Sequence, residues 1–135
     1  MTGRQTIWDP LRKREVALTP EERVRQWFIS VLRDDMKVPA HMMMSEVALA
    51  LGGKPWRADI LIYDRAQKPL AVVECKRPEV VIDRAVLDQA VRYNMVLDVR
   101  LLVLTNGKTT YMIRRSPGGP EFMETVPTYE EMLAL

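Results

Sequence analysis

Two short apolar runs constrain this chain more than anything else in it: Arg57-Ala58-Asp59-Ile60-Leu61-Ile62-Tyr63 and Leu70-Ala71-Val72-Val73-Glu74-Cys75-Lys76. Each is rich in aliphatic residues and bounded by turn formers, as expected of strands inside a covered sheet. Yet each carries ionisable groups, which is unfavourable in an interior unless those groups meet one another or an ion. Side chains alternate along a strand, so Glu74 and Lys76 share a face about 7 Å apart at their Cα atoms, while Cys75 points the other way. If the runs pair as a meander, Asp59 and Glu74 converge. Two carboxylates that close require a shared proton or a cation between them. Hard oxygen donors suit Mg²⁺ or Mn²⁺ better than zinc, for which one histidine and one cysteine are a poor supply. An ammonium group beside such an ion can hold a water or stabilise charge on a phosphate, the equipment of a phosphodiesterase. Cross-strand charge pairs on a solvated face fit the spacing equally well.

The surrounding pattern supplies the scaffold. Residues 1–18 show no period and are expected as an amino-terminal arm, with residues 19–135 as a single domain. Thr19-Pro20-Glu21-Glu22, followed by Val24, Trp27, Phe28, Val31 and Leu32, predicts a capped helix over residues 20–34. Ser45–Leu51, a turn at Gly52-Gly53-Lys54-Pro55, Arg57–Tyr63 and Leu70–Lys76 read as three antiparallel strands. Asp83–Leu97 has helical spacing, Val99–Thr105 and Thr109–Arg114 flank an Asn106-Gly107 turn, and Thr128–Leu135 reads as a short last helix. This order predicts an α/β fold in which helices pack on a mixed sheet, the helix after the third strand serving as a crossover.

Composition narrows the setting. The lone Cys75 has no internal disulfide partner, and no stretch approaches the roughly 20 apolar residues of a membrane helix. Charges crowd the amino terminus where an export signal needs an apolar core, so a cytoplasmic protein without a membrane role is expected. A net charge of +2 excludes a polycationic coat protein but leaves room for a local basic patch.

Five blocks in order, Thr19 to Gln26, Arg57 to Tyr63, Val73-Glu74-Cys75-Lys76-Arg77-Pro78, Asp88 to Asn94 and Leu104-Thr105-Asn106-Gly107, resemble the amino-terminal nuclease domain of type I restriction enzyme R subunits, within the PD-(D/E)XK superfamily. The resemblance covers residues 19–114. It implies a restriction-endonuclease-like α/β fold, a central mixed β-sheet of about five strands flanked by α-helices. It also implies an Mg²⁺-dependent (or Mn²⁺-dependent) DNA endonuclease. Carried over by position, Asp59 and Glu74 are metal ligands, the backbone carbonyl of Cys75 is a further ligand, and Lys76 is the catalytic lysine. Gln89 and Tyr93 match a Gln-x-x-x-Tyr motif that supports the site and contacts DNA. Ala58 stands where the superfamily has its nominal proline. No G-x-x-x-x-G-K-[ST] motif occurs, so this sequence carries only the nuclease portion of such a subunit, without its nucleotide-driven motor. The implied partners are DNA and restriction-modification subunits; oligomeric state is open, a homodimer included.

Other residues are weighed individually. The first helix offers Glu21 or Glu22 as an additional metal ligand; Glu22 stands at the capping-box position, which favours capping, while Glu21 lies nearer the apolar stripe. Glu46 on the first strand is a further option. Arg57, Arg77, Arg84 and Arg92 are candidate phosphate contacts as a group, and each is equally well a solvated charge. His41 reads as a loop residue, the Cys75 side chain as small and buried, Trp27 and Phe28 as core, and Trp8 and Trp56 as lids on the core. The competing functional reading is a non-catalytic nucleic-acid-binding or assembly module that keeps the nuclease fold.

Overall fold

The computed structural model describes residues 4–51 and 54–135, leaving aside the side chains of residues 49–51, 54–56 and 93–96. Strands β3 (Met43–Leu51), β4 (Lys54–Tyr63) and β5 (Pro69–Cys75) form an antiparallel meander, as the apolar runs predicted. Its Gly52-Gly53 turn lies outside the described residues. Helix α2 (Arg84–Leu97) then carries the chain to β6 (Leu101–Thr105), which runs parallel to β5. Strands β7 (Thr110–Ser116) and β8 (Gly119–Phe122) complete a six-stranded mixed sheet in the order β3-β4-β5-β6-β7-β8.

Both faces of the sheet are covered. Helix α1 (Pro20–Ser30) is capped by Thr19, whose hydroxyl accepts the Glu22 N–H at 3.1 Å, and Pro20 occupies the first turn, where its missing donor does no harm. It buries Val24, Phe28 and Ile29 against Ile60, Ile62, Val73, Leu101 and Val103. The helix does not continue regularly to residue 34: Val31–Asp35 widen into a π turn that tucks Leu32 into the same core. Helix α3 (Tyr129–Leu133) seals this face with Tyr129 and Met132. On the opposite face α2 packs Ala90 against a cluster containing Leu61, Val72, Leu102 and Leu104. From Ala71 to Val73 and from Leu101 to Leu104 successive residues serve alternate cores, which is why these stretches are apolar on both faces.

Two elements depart from expectation. The aperiodic arm contains a hairpin, β1 (Thr6–Asp9) with β2 (Arg14–Ala17), whose turn is held by Asp9 accepting the Leu11 N–H at 2.8 Å. The sheet has a sixth strand, β8, built from Gly119-Pro120-Glu121-Phe122, which has no strand period to reveal it.

The turn after β6 braces the end of the sheet at which β5 and β6 finish. Buried Asn106 accepts the N–H groups of Lys108 and Thr109 at 2.8 and 2.7 Å, and its amide donates to the Val80 carbonyl at 2.9 Å. It therefore ties the segment following Lys76 to the β6–β7 turn. Replacing Asn106 with alanine strands three backbone groups and should lower unfolding free energy by about 2 kcal/mol in a urea titration.

Candidate active site

Asp59 sits where the β4–β5 ladder stops. Ile60 pairs with Val73, but one step on, the Asp59 side chain replaces the backbone bond: its Oδ2 accepts the Cys75 N–H at 2.7 Å. Across the same step the β3–β4 ladder skips Glu46, which takes a left-handed φ of 57° between the pairs Ser45–Ile60 and Val47–Ala58. For a non-glycine residue in a strand this conformation costs about 1–2 kcal/mol, and such strain collects at functional sites. Glu74 follows on β5 and is largely buried; its Oε1 is shielded from solvent and has no hydrogen-bond partner among the described residues. Lys76, half-buried just past the strand, is held by its N–H donating to the Thr105 carbonyl at 2.8 Å.

The electrostatics follow from this crowding. Burial, and then the neighbouring Asp59 carboxylate, push Glu74 from an ordinary 4.5 up to about 8, against the opposing pull of Lys76. Burial also raises Asp59, although the Cys75 N–H and the Arg25 guanidinium pull it back. Glu21 is raised by burial and by Asp59, with Arg25 and Lys76 opposing, so its carboxylate lies within the field of the same group. The Cys75 thiol is pushed well above its usual range by burial, which disfavours the nucleophilic thiolate.

Arg25 is the residue that sequence reasoning missed. It is 4% exposed, and its guanidinium reaches Asp59 Oδ1 at 3.2 Å, Glu46 Oε1 at 2.7 Å and Glu22 Oε1 at 3.3 Å. Four and three residues after Glu21 and Glu22 respectively, it shares their face of α1, a spacing that was available as a signal. Glu22 itself does not close a capping box. Its carboxylate binds Arg12, Arg25 and Gln26 instead. Among the described residues no three acidic, imidazole or thiol groups form a ready-made metal cage, since Arg25 stands among the carboxylates.

None of the other candidates with a described side chain hydrogen-bonds Asp59, Glu74 or Lys76 directly, and Arg57 joins the cluster through Glu46. Gln89 is exposed on α2, one position before buried Ala90, and the described structure gives it no hydrogen bond to Asp59, Glu74 or Lys76. The Tyr93 and Trp56 side chains fall outside the described residues. Arg57 is exposed and pairs with Glu46 at 3.0 Å, while Arg84 pairs with Asp88; Arg77 and Arg92 are exposed. Trp27 is not core as expected: 44% exposed, it packs edge-on against buried Phe28.

Residues 20–127 match the family described as type I restriction enzyme R protein N terminus. The chain belongs to that family. No curated protein sequence matches it. Among solved structures, a fragment of a proposed HsdR subunit of a type I restriction enzyme from Vibrio vulnificus YJ016 superposes with a TM-score of 0.66 at 21% identity, covering 87% of this chain and 25% of the fragment. The chain thus spans about a quarter of that relative's length. A proposed nuclease of the DUF820 group from Anabaena variabilis superposes with a TM-score of 0.57 at 11% identity, covering 96% of this chain and 84% of that one. These likenesses bear out the restriction-endonuclease-like α/β fold. Among the described residues no helix is long and apolar enough to cross a membrane.

Proposed function

We propose that this domain is a divalent-metal-dependent endodeoxyribonuclease that serves a type I restriction enzyme. One observation carries the reading. A buried glutamate with an unpartnered oxygen lies beside a second carboxylate and within the field of a lysine, at the end of the two central strands. Such an oxygen calls for an explanation, and a bound cation is one that its neighbours support. The donor set fits Mg²⁺ or Mn²⁺: Asp59 and Glu74 supply carboxylates, with the Cys75 backbone carbonyl as a further oxygen and Glu21 as an additional acid within the field of the same group. Such an ion, when bound, acidifies water and neutralises phosphate charge. The chain's own residues do the positioning. The Cys75 N–H and Arg25 fix the Asp59 carboxylate. Lys76, anchored through Thr105, orients the attacking water or meets the charge that develops on the phosphate oxygens. Gln89 is assigned to the catalytic group as a support of the site, Tyr93, Arg57, Arg77 and Arg92 to DNA, and the other restriction-modification subunits, acting in the cytoplasm, to target recognition.

A second reading, a non-catalytic DNA-binding or assembly module, has its own observation: both Asp59 oxygens already accept a hydrogen bond. Calorimetric titration separates the two. Native protein should take up Mn²⁺, and Asp59→Asn should weaken that uptake by about 100-fold or more, beyond what the loss of an outer-shell partner produces. A native chain that binds no Mn²⁺ would leave only the second reading.

A further inference from the structure

The amino-terminal hairpin lies outside the segment that matches the family, yet it is wired to the site. Asp9 is fully buried and pairs with Arg12; Arg12 Nη2 reaches Glu22 Oε1 at 2.6 Å. Arg25 Nη1 holds that same oxygen at 3.3 Å, while its Nη2 holds Asp59 Oδ1 at 3.2 Å. Glu22 Oε1 is therefore shared by two guanidinium groups, one from the hairpin and one already on Asp59. The Arg25 Nε is buried and has no hydrogen-bond partner among the described residues, so the fork is not saturated there. A cleft of about 480 Å³ opens between hairpin and helix, lined by Arg12, Arg14, Glu21, Glu22, Arg25 and Glu46, and gives the side chain room to shift.

We infer that Arg25 is a tethered counter-ion divided among Glu22, Glu46 and Asp59, and that Arg12 of the hairpin sets the share that falls on Asp59 and so the ease with which Asp59 accepts a divalent cation. This rests on the reading that Asp59 is a metal ligand. A fixed positive charge on Asp59 Oδ1 opposes a cation on the same carboxylate; drawing the guanidinium toward Glu22 relieves the opposition. Arg12 and Arg25 are positioning residues on this account. Removing Arg12 leaves Glu22 Oε1 to Arg25 alone and draws it off Asp59. Neutralising Glu22 does the reverse, leaving Arg25 to lean on Asp59 and Glu46.

The two changes should therefore move Mn²⁺ affinity in opposite directions, measured by calorimetry on folded variants. Arg12→Gln is expected to tighten binding by roughly three- to tenfold and Glu22→Gln to weaken it by a similar factor. Arg14→Gln, which removes the same charge from the same cleft without entering the chain of contacts, should leave affinity near native. Without metal, the Arg25 Nε–Hε resonance should move on Arg12→Gln and stay in place on Arg14→Gln. Equal effects of the two arginine variants, weaker binding in both Arg12→Gln and Glu22→Gln, or an unmoved Arg25 resonance overturn the relay and leave the nuclease reading standing. A native chain that takes up no Mn²⁺ overturns both.

Discussion

Replacing Lys76 with methionine should reduce metal-dependent DNA cleavage by about 10²–10³-fold while Mn²⁺ uptake persists. The separation is the point of the experiment. Lys76 carries no oxygen to offer a cation, and its charge lies close enough to Glu74 to oppose that group's upward shift. In the proposed mechanism its work is electrostatic, on water or phosphate, and methionine keeps the stem while removing the ammonium. Glu74→Gln should differ, abolishing both cleavage and uptake, because it removes the negative charge and replaces one oxygen of a carboxylate whose Oε1 has no partner among the described residues. Undiminished cleavage by the Lys76 variant would take the lysine out of the mechanism. Loss of Mn²⁺ uptake in that variant would recast it as a structural support for Glu74.

How much of this was legible beforehand depends on how local the signal is. The meander, α2 and the β6–β7 hairpin are visible because each buries residues at a simple period, and a polar residue inside such a period is conspicuous. Asp59 and Glu74 stood out for that reason. Arg25 did not, because an arginine on an amphipathic helix is ordinarily a solvated charge, and only the fold brings Glu46 and Asp59 to it across 21 and 34 residues. Glu46 was undervalued because nothing local marks a left-handed residue in mid-strand. The β1–β2 hairpin escaped notice because four-residue strands are too short to establish alternation, and what secures them is a buried Asp9 with its turn and Arg12 partners. The misreading of Glu22 has the same origin. Capping-box spacing was present, but Arg12 and Arg25 compete for the carboxylate and win.

The metal-free domain should be most stable near pH 5 and lose on the order of 3–5 kcal/mol as pH rises to about 8, measured by urea titrations at fixed ionic strength. The sign follows from Glu74. Burial and Asp59 lift it from 4.5 to about 8 in the folded chain, so between those values the unfolded chain ionises while the folded chain keeps its proton. Its stabilisation is complete below the unfolded value and is lost as pH climbs through the folded one. Asp59, also raised by burial, acts in the same direction. The acid limb has the opposite origin. Asp9 is lowered: burial pushes it up, but the Arg12 side chain and the backbone N–H groups of Leu11 and Arg12 outweigh that, and Glu46 is lowered by Arg25 and Arg57 against burial in the same way. Their contribution is present above the usual carboxylate range and disappears as pH falls through it. Glu74→Gln should flatten the alkaline limb and leave the acid limb intact, so that at pH 8 the variant is more stable than the native chain although it no longer cleaves. Saturating Mn²⁺ should stabilise the native domain more at pH 8 than at pH 5, since below the folded value the proton already holds the place the cation would take. An alkaline limb unchanged by Glu74→Gln would mean that the buried carboxyl is not the group that titrates, and that the two acids are not facing each other.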